Sequence, residues 1–130
     1  MSTWPKSRPR SPRRRYTGAT PAVLMLVKSR AGGRCERCAA PIPTTAEVHH
    51  RIPRGMGGTR DPRVNRPSAL VVLCPQCHRR IESYREKARL DGWLVRRTSN
   101  PAEVAIESRL HGRVLLADDG SVVSVGGDAA

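Results

Sequence analysis

The chain has no phenylalanine, and only two Trp and two Tyr among its 130 residues. That scarcity argues against a core built on large aromatic side chains. It also argues against single-strand readers of nucleic acid, which stack unpaired bases on aromatic rings. Acid is scarce too: 11 Asp and Glu stand against 24 Lys and Arg, a formal net charge of +13. A balance so basic calls for a polyanionic partner, whether DNA, RNA or an anionic membrane. Lysine occurs only at Lys6, Lys28 and Lys87. The Arg bias suits bidentate phosphate contact, although a GC-rich genome would produce it as well. No apolar run approaches the ~20 residues of a membrane span, and no signal-type apolar stretch follows the basic N-terminus. The expectation is a chain without a membrane segment in a reducing cytoplasm, where cysteines more readily bind metal than form disulfides.

A chain of this length makes one modest domain, and a thin core usually needs a staple. Residues 1–19 carry Lys6, Arg8, Arg10, Arg13, Arg14 and Arg15 with no acid, and read as a disordered basic arm. Thr20-Pro21 has the form of a helix start, Val23 to Val27 a short apolar helix, and Gly32-Gly33 its stop. Residues 47–52 and 70–73 read as strands. A helix is expected from His78 to about Leu90, with Ile81, Tyr84 and Ala88 on its buried face. Trp93 to Val95 reads as a further strand. Apolar runs on either side of Asp119-Gly120 predict a hairpin within a C-terminal extension, residues 96–125, before a frayed tail at 126–130.

Two matched CxxC pairs, Cys35/Cys38 and Cys74/Cys77, lie on either side of this central region. Two such knuckles turn four thiolates toward one tetrahedral ion and close it, so the expected Zn2+ is structural. Its binding would contribute directly to folding. Three histidines sit between or beside the knuckles. His49 and His50 are adjacent on a strand, facing opposite sides unless it bends. His78 follows Cys77, and Glu82 lies one helical turn on. Together they make a compact set: one imidazole to serve as base, the others to hold a divalent ion.

The stretch Cys35-x2-Cys38, Val48-His49-His50-Arg51, Leu70-Val-Val-Leu-Cys74-x2-Cys77-His78 resembles the HNH endonucleases, and is most similar to small HNH proteins of tailed bacteriophages of the terminase-associated type. The resemblance covers roughly residues 20–95. It implies a small α+β fold with a ββα-metal (His-Me finger) core and a metal-dependent DNA endonuclease. It assigns His50 as general base and His49 and His78 as ligands of a catalytic Mg2+, Mn2+ or Ni2+ ion, with Glu82 as a further ligand. Double-stranded DNA is the implied substrate, the large terminase subunit a possible partner, and the bacterial host cytoplasm the setting. The motif's middle Asn would stand at Ala69. Either Asn65 substitutes for it from a shifted loop, or this copy is weakened. Arg51, Arg54, Arg60, Arg63 and Arg66 form an expected phosphate clamp, with Gly55, Gly57 and Gly58 allowing close backbone approach. A non-catalytic zinc-ribbon DNA binder is the rival reading; it leaves the three histidines unexplained.

Overall fold

A computed structural model describes residues 18–43, 46–53 and 61–126. It opens with helix α1, Pro21–Ala31, whose Thr20 cap accepts a hydrogen bond from the Val23 N–H. Gly32, in the left-handed conformation, ends the helix by donating to the Lys28 carbonyl. Strand β1, Val48–His50, pairs antiparallel with β2, Leu70–Val72. Two 3-10 turns, Pro62–Asn65 and Pro67–Ala69, lead into β2. Helix α2, Pro75–Ser83, follows, capped by the Cys74 sulfur, which accepts from the Cys77 N–H. The order β1–β2–α2 is a small ββα unit. Helix α3, Arg85–Leu90, comes next, then strands β3, Ile106–Ser108, β4, Gly112–Leu116, and β5, Val122–Ser124, in an antiparallel sheet of order β3-β4-β5.

Several expectations need correction. The helix expected from His78 to Leu90 is broken at Tyr84, whose backbone leaves the helical region. The break takes Tyr84 off the buried face: Ile81 and Ala88 are buried, while Tyr84 is 63% exposed. Trp93 to Val95 is buried but forms no strand; its backbone bonds go instead to Ala88 and Arg51. The hairpin around Asp119-Gly120 is present, with the Ala117 N–H donating to the Ser121 carbonyl, and β3 adds a strand that the residue pattern does not predict. The C-terminal extension, residues 96–125, contributes to the core. Ile106, Val114 and Leu116 share one buried cluster with Trp93, Ile81, Val71 and Cys35. Ala19, assigned to the arm, is buried beside Val27 and Leu70. The rest of the expected arm, residues 1–17, and most of the tail lie outside the described residues.

Two buried charges tie these pieces together. Glu36, within the first knuckle and fully buried, meets Arg30 through two hydrogen bonds of 2.6 and 2.9 Å. It also accepts from the Val72 N–H at 2.9 Å and lies 3.0 Å from His111 Nε2. The hydroxyl of Ser108 donates to its carbonyl. Burial opposes ionisation, but His111 and Arg30 outweigh it and hold the carboxyl below its ordinary range.

Arg51 is the second. Expected in the phosphate clamp, it is instead wholly buried. Its guanidinium donates to the carbonyls of Gly92 (2.9 Å), Ser68 (2.6 Å), Pro101 (3.0 Å) and Val104 (2.7 Å). Burial lowers its pKa to about 9, which leaves it charged at neutral pH. Gly92 must be glycine here: its φ is +84°, and a Cβ would collide with the Ala105 carbonyl.

Arg51→Met should therefore lower unfolding free energy by about 3 kcal/mol or more, because four buried carbonyls lose a charged donor. Arg51→Lys should fall between, since an ammonium has three donors and no planar fork. Urea unfolding measures both. A Met variant of parental stability but reduced DNA affinity would return Arg51 to the phosphate clamp.

Candidate metal and histidine sites

The two knuckles converge. The sulfur atoms of Cys35, Cys38, Cys74 and Cys77 all lie within 4.8 Å of one another. None is in a disulfide. Cys38 and Cys74 are 3.7 Å apart at sulfur, close to the ~3.8 Å edge of a tetrahedron with 2.3 Å zinc–sulfur bonds. Burial pushes the Cys35 thiol up, and Cys77 up to about 12. Four thiolates at such short range require a cation to neutralise them. Arg37 donates to the Cys77 sulfur at 3.3 Å, an N–H···S bond that favours the thiolate. The donor set and spacing fit Zn2+, held by all four cysteines with no coordination position left for substrate.

The histidines come together on the ββα unit as well. His49, opposite Val71 in the β-ladder, lies against His78 on α2 with ring centroids 3.9 Å apart and planes inclined by 31°. His49, His50, His78 and Glu82 line one small pocket of about 160 Å³, walled by Trp93 and Leu94. The three-residue strand ends in a bend at Arg51, and the neighbouring positions 49 and 50 both reach this pocket. Burial lowers the pKa of His49, and the positive charge His78 would carry lowers it further, so His49 favours the neutral, ligating form. Glu82 is 3.9 Å from His78 Nε2 and also pairs with Arg85 at 2.9 Å. Two imidazoles and a carboxylate are a donor set that a divalent first-row ion accepts.

Asn65 Oδ1 lies 2.8 Å from His50 Nε2. Its 3-10 turn begins at Asp61, whose carboxylate accepts from the Arg63 N–H. Ala69, where the resemblance would place an Asn, is fully buried, and its carbonyl accepts from the Arg51 N–H. Of the expected clamp, Arg63 is engaged by Asp61 and by the Arg97 carbonyl, and Arg66 is exposed. Arg54 and Arg60, with Gly55, Gly57 and Gly58, lie outside the described residues. Sequence reasoning missed the Glu36, Arg30 and His111 cluster. Its partners are up to 75 residues apart, and no local pattern announces them.

A closed four-cysteine cluster beside a ββα unit with a histidine-lined pocket defines a knuckle-stapled, candidate metal-dependent domain. Residues 35–83 match the family model of the HNH endonuclease. This segment contains both knuckles, His49, His50, Asn65, His78 and Glu82. No curated protein matches the chain. Among the described residues, no helix is long and apolar enough to cross a membrane.

The cysteine geometry predicts one zinc per chain by elemental analysis of the reduced, folded protein. Cys74→Ser should remove a ligand while leaving a hydroxyl that can still cap α2, and abolish cooperative unfolding at neutral pH. A folded, zinc-free parent protein would overturn the assignment.

Proposed function

We propose that the protein is a metal-dependent DNA endonuclease with His50 as general base and weak sequence preference. The observation that carries this reading is the convergence of His49, His50, His78 and Glu82 on one pocket, with His50 bonded to Asn65. The match of residues 35–83 to a nuclease family supports it. An amide oxygen only accepts hydrogen bonds, so His50 carries its proton on Nε2 and its lone pair on Nδ1. His50 then takes a proton from water at Nδ1 as the water attacks phosphorus in line. His49 and His78, with Glu82 beside them, would hold a Mg2+, Mn2+ or Ni2+ ion. Such an ion supplies Lewis-acid stabilisation of charge on the phosphoryl and leaving oxygens. Asn65 takes over the role that Ala69 cannot fill, orienting the base from a turn four residues earlier. The resemblance to phage HNH proteins extends the proposal to a role beside the large terminase subunit in DNA packaging, in the host cytoplasm.

Supercoiled plasmid with added Mg2+, Mn2+ or Ni2+ tests the reading. His50→Ala should cut about a hundredfold more slowly or worse, with DNA affinity nearly unchanged. Parental cleavage by this variant would refute the base assignment, and a parent protein that never cleaves DNA would favour a non-catalytic zinc-ribbon DNA binder.

Asn65 has a separate signature. Asn65→Asp places a carboxylate on the imidazole, which raises its pKa. A base works only when unprotonated, so the acid limb of the rate profile should move to higher pH, by about one unit. Asn65→Ala should lower the rate without that displacement. Identical pH profiles in the parent and Asn65→Asp would mean that Asn65 only supports the loop.

A further inference from the structure

Beside the histidine pocket runs a second, larger groove of about 360 Å³. Leu94 lines both. Leu94 and Val95 are buried and form its floor, while Arg89, Arg96 and Arg97 line it. Among the described residues, no acidic side chain lines it. The grooves around Arg37 and Arg80 differ: each contains Asp91, and one adds Glu107. Arg89 and Arg96 are exposed.

The groove is also held in register with the candidate catalytic residues. The Val95 N–H donates to the carbonyl of Arg51, the residue after His50, at 2.8 Å. The carbonyl of Arg97 accepts from Arg63, two residues before Asn65, at 3.0 Å. A chain anchored at both points presents its arginines at a set distance from the pocket.

We propose that this groove, lined by Arg89, Arg96 and Arg97, is the track along which the phosphate backbone of duplex DNA leaves the histidine pocket. The proposal rests on the nuclease reading and replaces Arg51 as the source of backbone contacts. Arg89 and Arg96, with no carboxylate lining the groove among the described residues, match successive phosphates, and each can bind one through two parallel N–H···O bonds; Arg97, which also lies in the field of Asp61, flanks them. An anionic membrane fits less well. Among the described residues, none of the exposed large apolar side chains lines the groove, and membrane-surface binding draws on inserted apolar area as well as charge.

The test uses the full-length, zinc-loaded chain and a fluorescent duplex of about 20 base pairs, titrated by anisotropy between about 50 and 200 mM salt without added divalent ion. The double variant R89Q/R96Q should reduce the log–log salt slope by roughly two units, about 0.9 for each phosphate no longer neutralised. R109Q/R113Q makes the same charge change in the β3–β4 hairpin and should leave the slope near the parent's. An unchanged slope in R89Q/R96Q overturns the proposal. So does an equal reduction in R109Q/R113Q, because net charge alone would then explain it. If R89Q/R96Q abolishes binding to phosphatidylserine vesicles while its DNA slope stays parental, the groove belongs to a membrane. Single-turnover cleavage at saturating DNA keeps the two readings apart. His50→Ala should lose cleavage there while keeping the parental salt slope, whereas R89Q/R96Q should lower the slope. A reduced slope in R89Q/R96Q, with a parent protein that never cleaves DNA, would refute the nuclease reading and still support the groove as a DNA-binding surface.

Discussion

The buried guanidinium of Arg51 is the constraint on which the rest of the structure depends. A cation removed from water ordinarily needs a carboxylate beside it. Among the described residues, Arg51 hydrogen-bonds only carbonyl oxygens, four of them, lying up to 53 residues from it in the chain. Only a planar five-donor fork can collect acceptors from so many directions. Through them it joins the turn before β2, the chain after α3 and the segment before β3. It also stands next to His50, so the strand end carrying the proposed base is placed by the same group that closes the domain. The phosphate-binding chemistry that the sequence invites at this position is thus spent on architecture.

Glu36 repeats the logic with the sign reversed. Its carboxylate draws Arg30 from α1 and His111 from the turn between β3 and β4, and takes the Val72 N–H from β2. The first cysteine knuckle is therefore fixed by an anion as well as by whatever ion its thiolates hold. The two candidate metal environments share α2: Cys77 turns inward to the sulfur cluster, and His78 turns to the pocket. A sulfur set and an imidazole set are thus carried by adjacent residues of one helix, and in the proposed function the first serves folding and the second chemistry.

The features legible in the sequence are those with local causes. Thr20-Pro21 and Gly32 delimit α1 through cap chemistry, Asp119-Gly120 makes its turn, and CxxC spacing brings four sulfurs together. Features set by distant partners are not legible. Arg51 looks like one more arginine in a basic loop, because its acceptors are main-chain carbonyls that carry no residue signature. Tyr84 satisfies helical periodicity yet lies outside, since periodicity cannot register a break in the helix beneath it. β3 is hidden because Ile106 to Ser108 is short and mixed, and gains strand character only from pairing with β4. Arg96 and Arg97 carry no local signal, for their groove exists only where the chain folds back to Arg51 and Arg63.

Ala69 and Asn65 show how a motif position and its physical task can separate. At position 69 the side chain is fully buried, and the backbone carbonyl is committed to the Arg51 N–H. An amide there would have to be accommodated in packed space beside a buried charge, where an unsatisfied polar group costs about 1–3 kcal/mol. The 3-10 turn at Pro62–Asn65 offers a less costly route: Asp61 caps it, Val64 anchors it in a small buried cluster with Ile52 and Val95, and Asn65 is left 2.8 Å from the imidazole. Ile52 and Val95 adjoin Arg51 and Arg96, so the turn that presents Asn65 packs on the same elements that hold His50 and form the arginine groove. In the proposed mechanism the contact between turn and strand would orient the base, and a departure at one motif position leaves that contact intact.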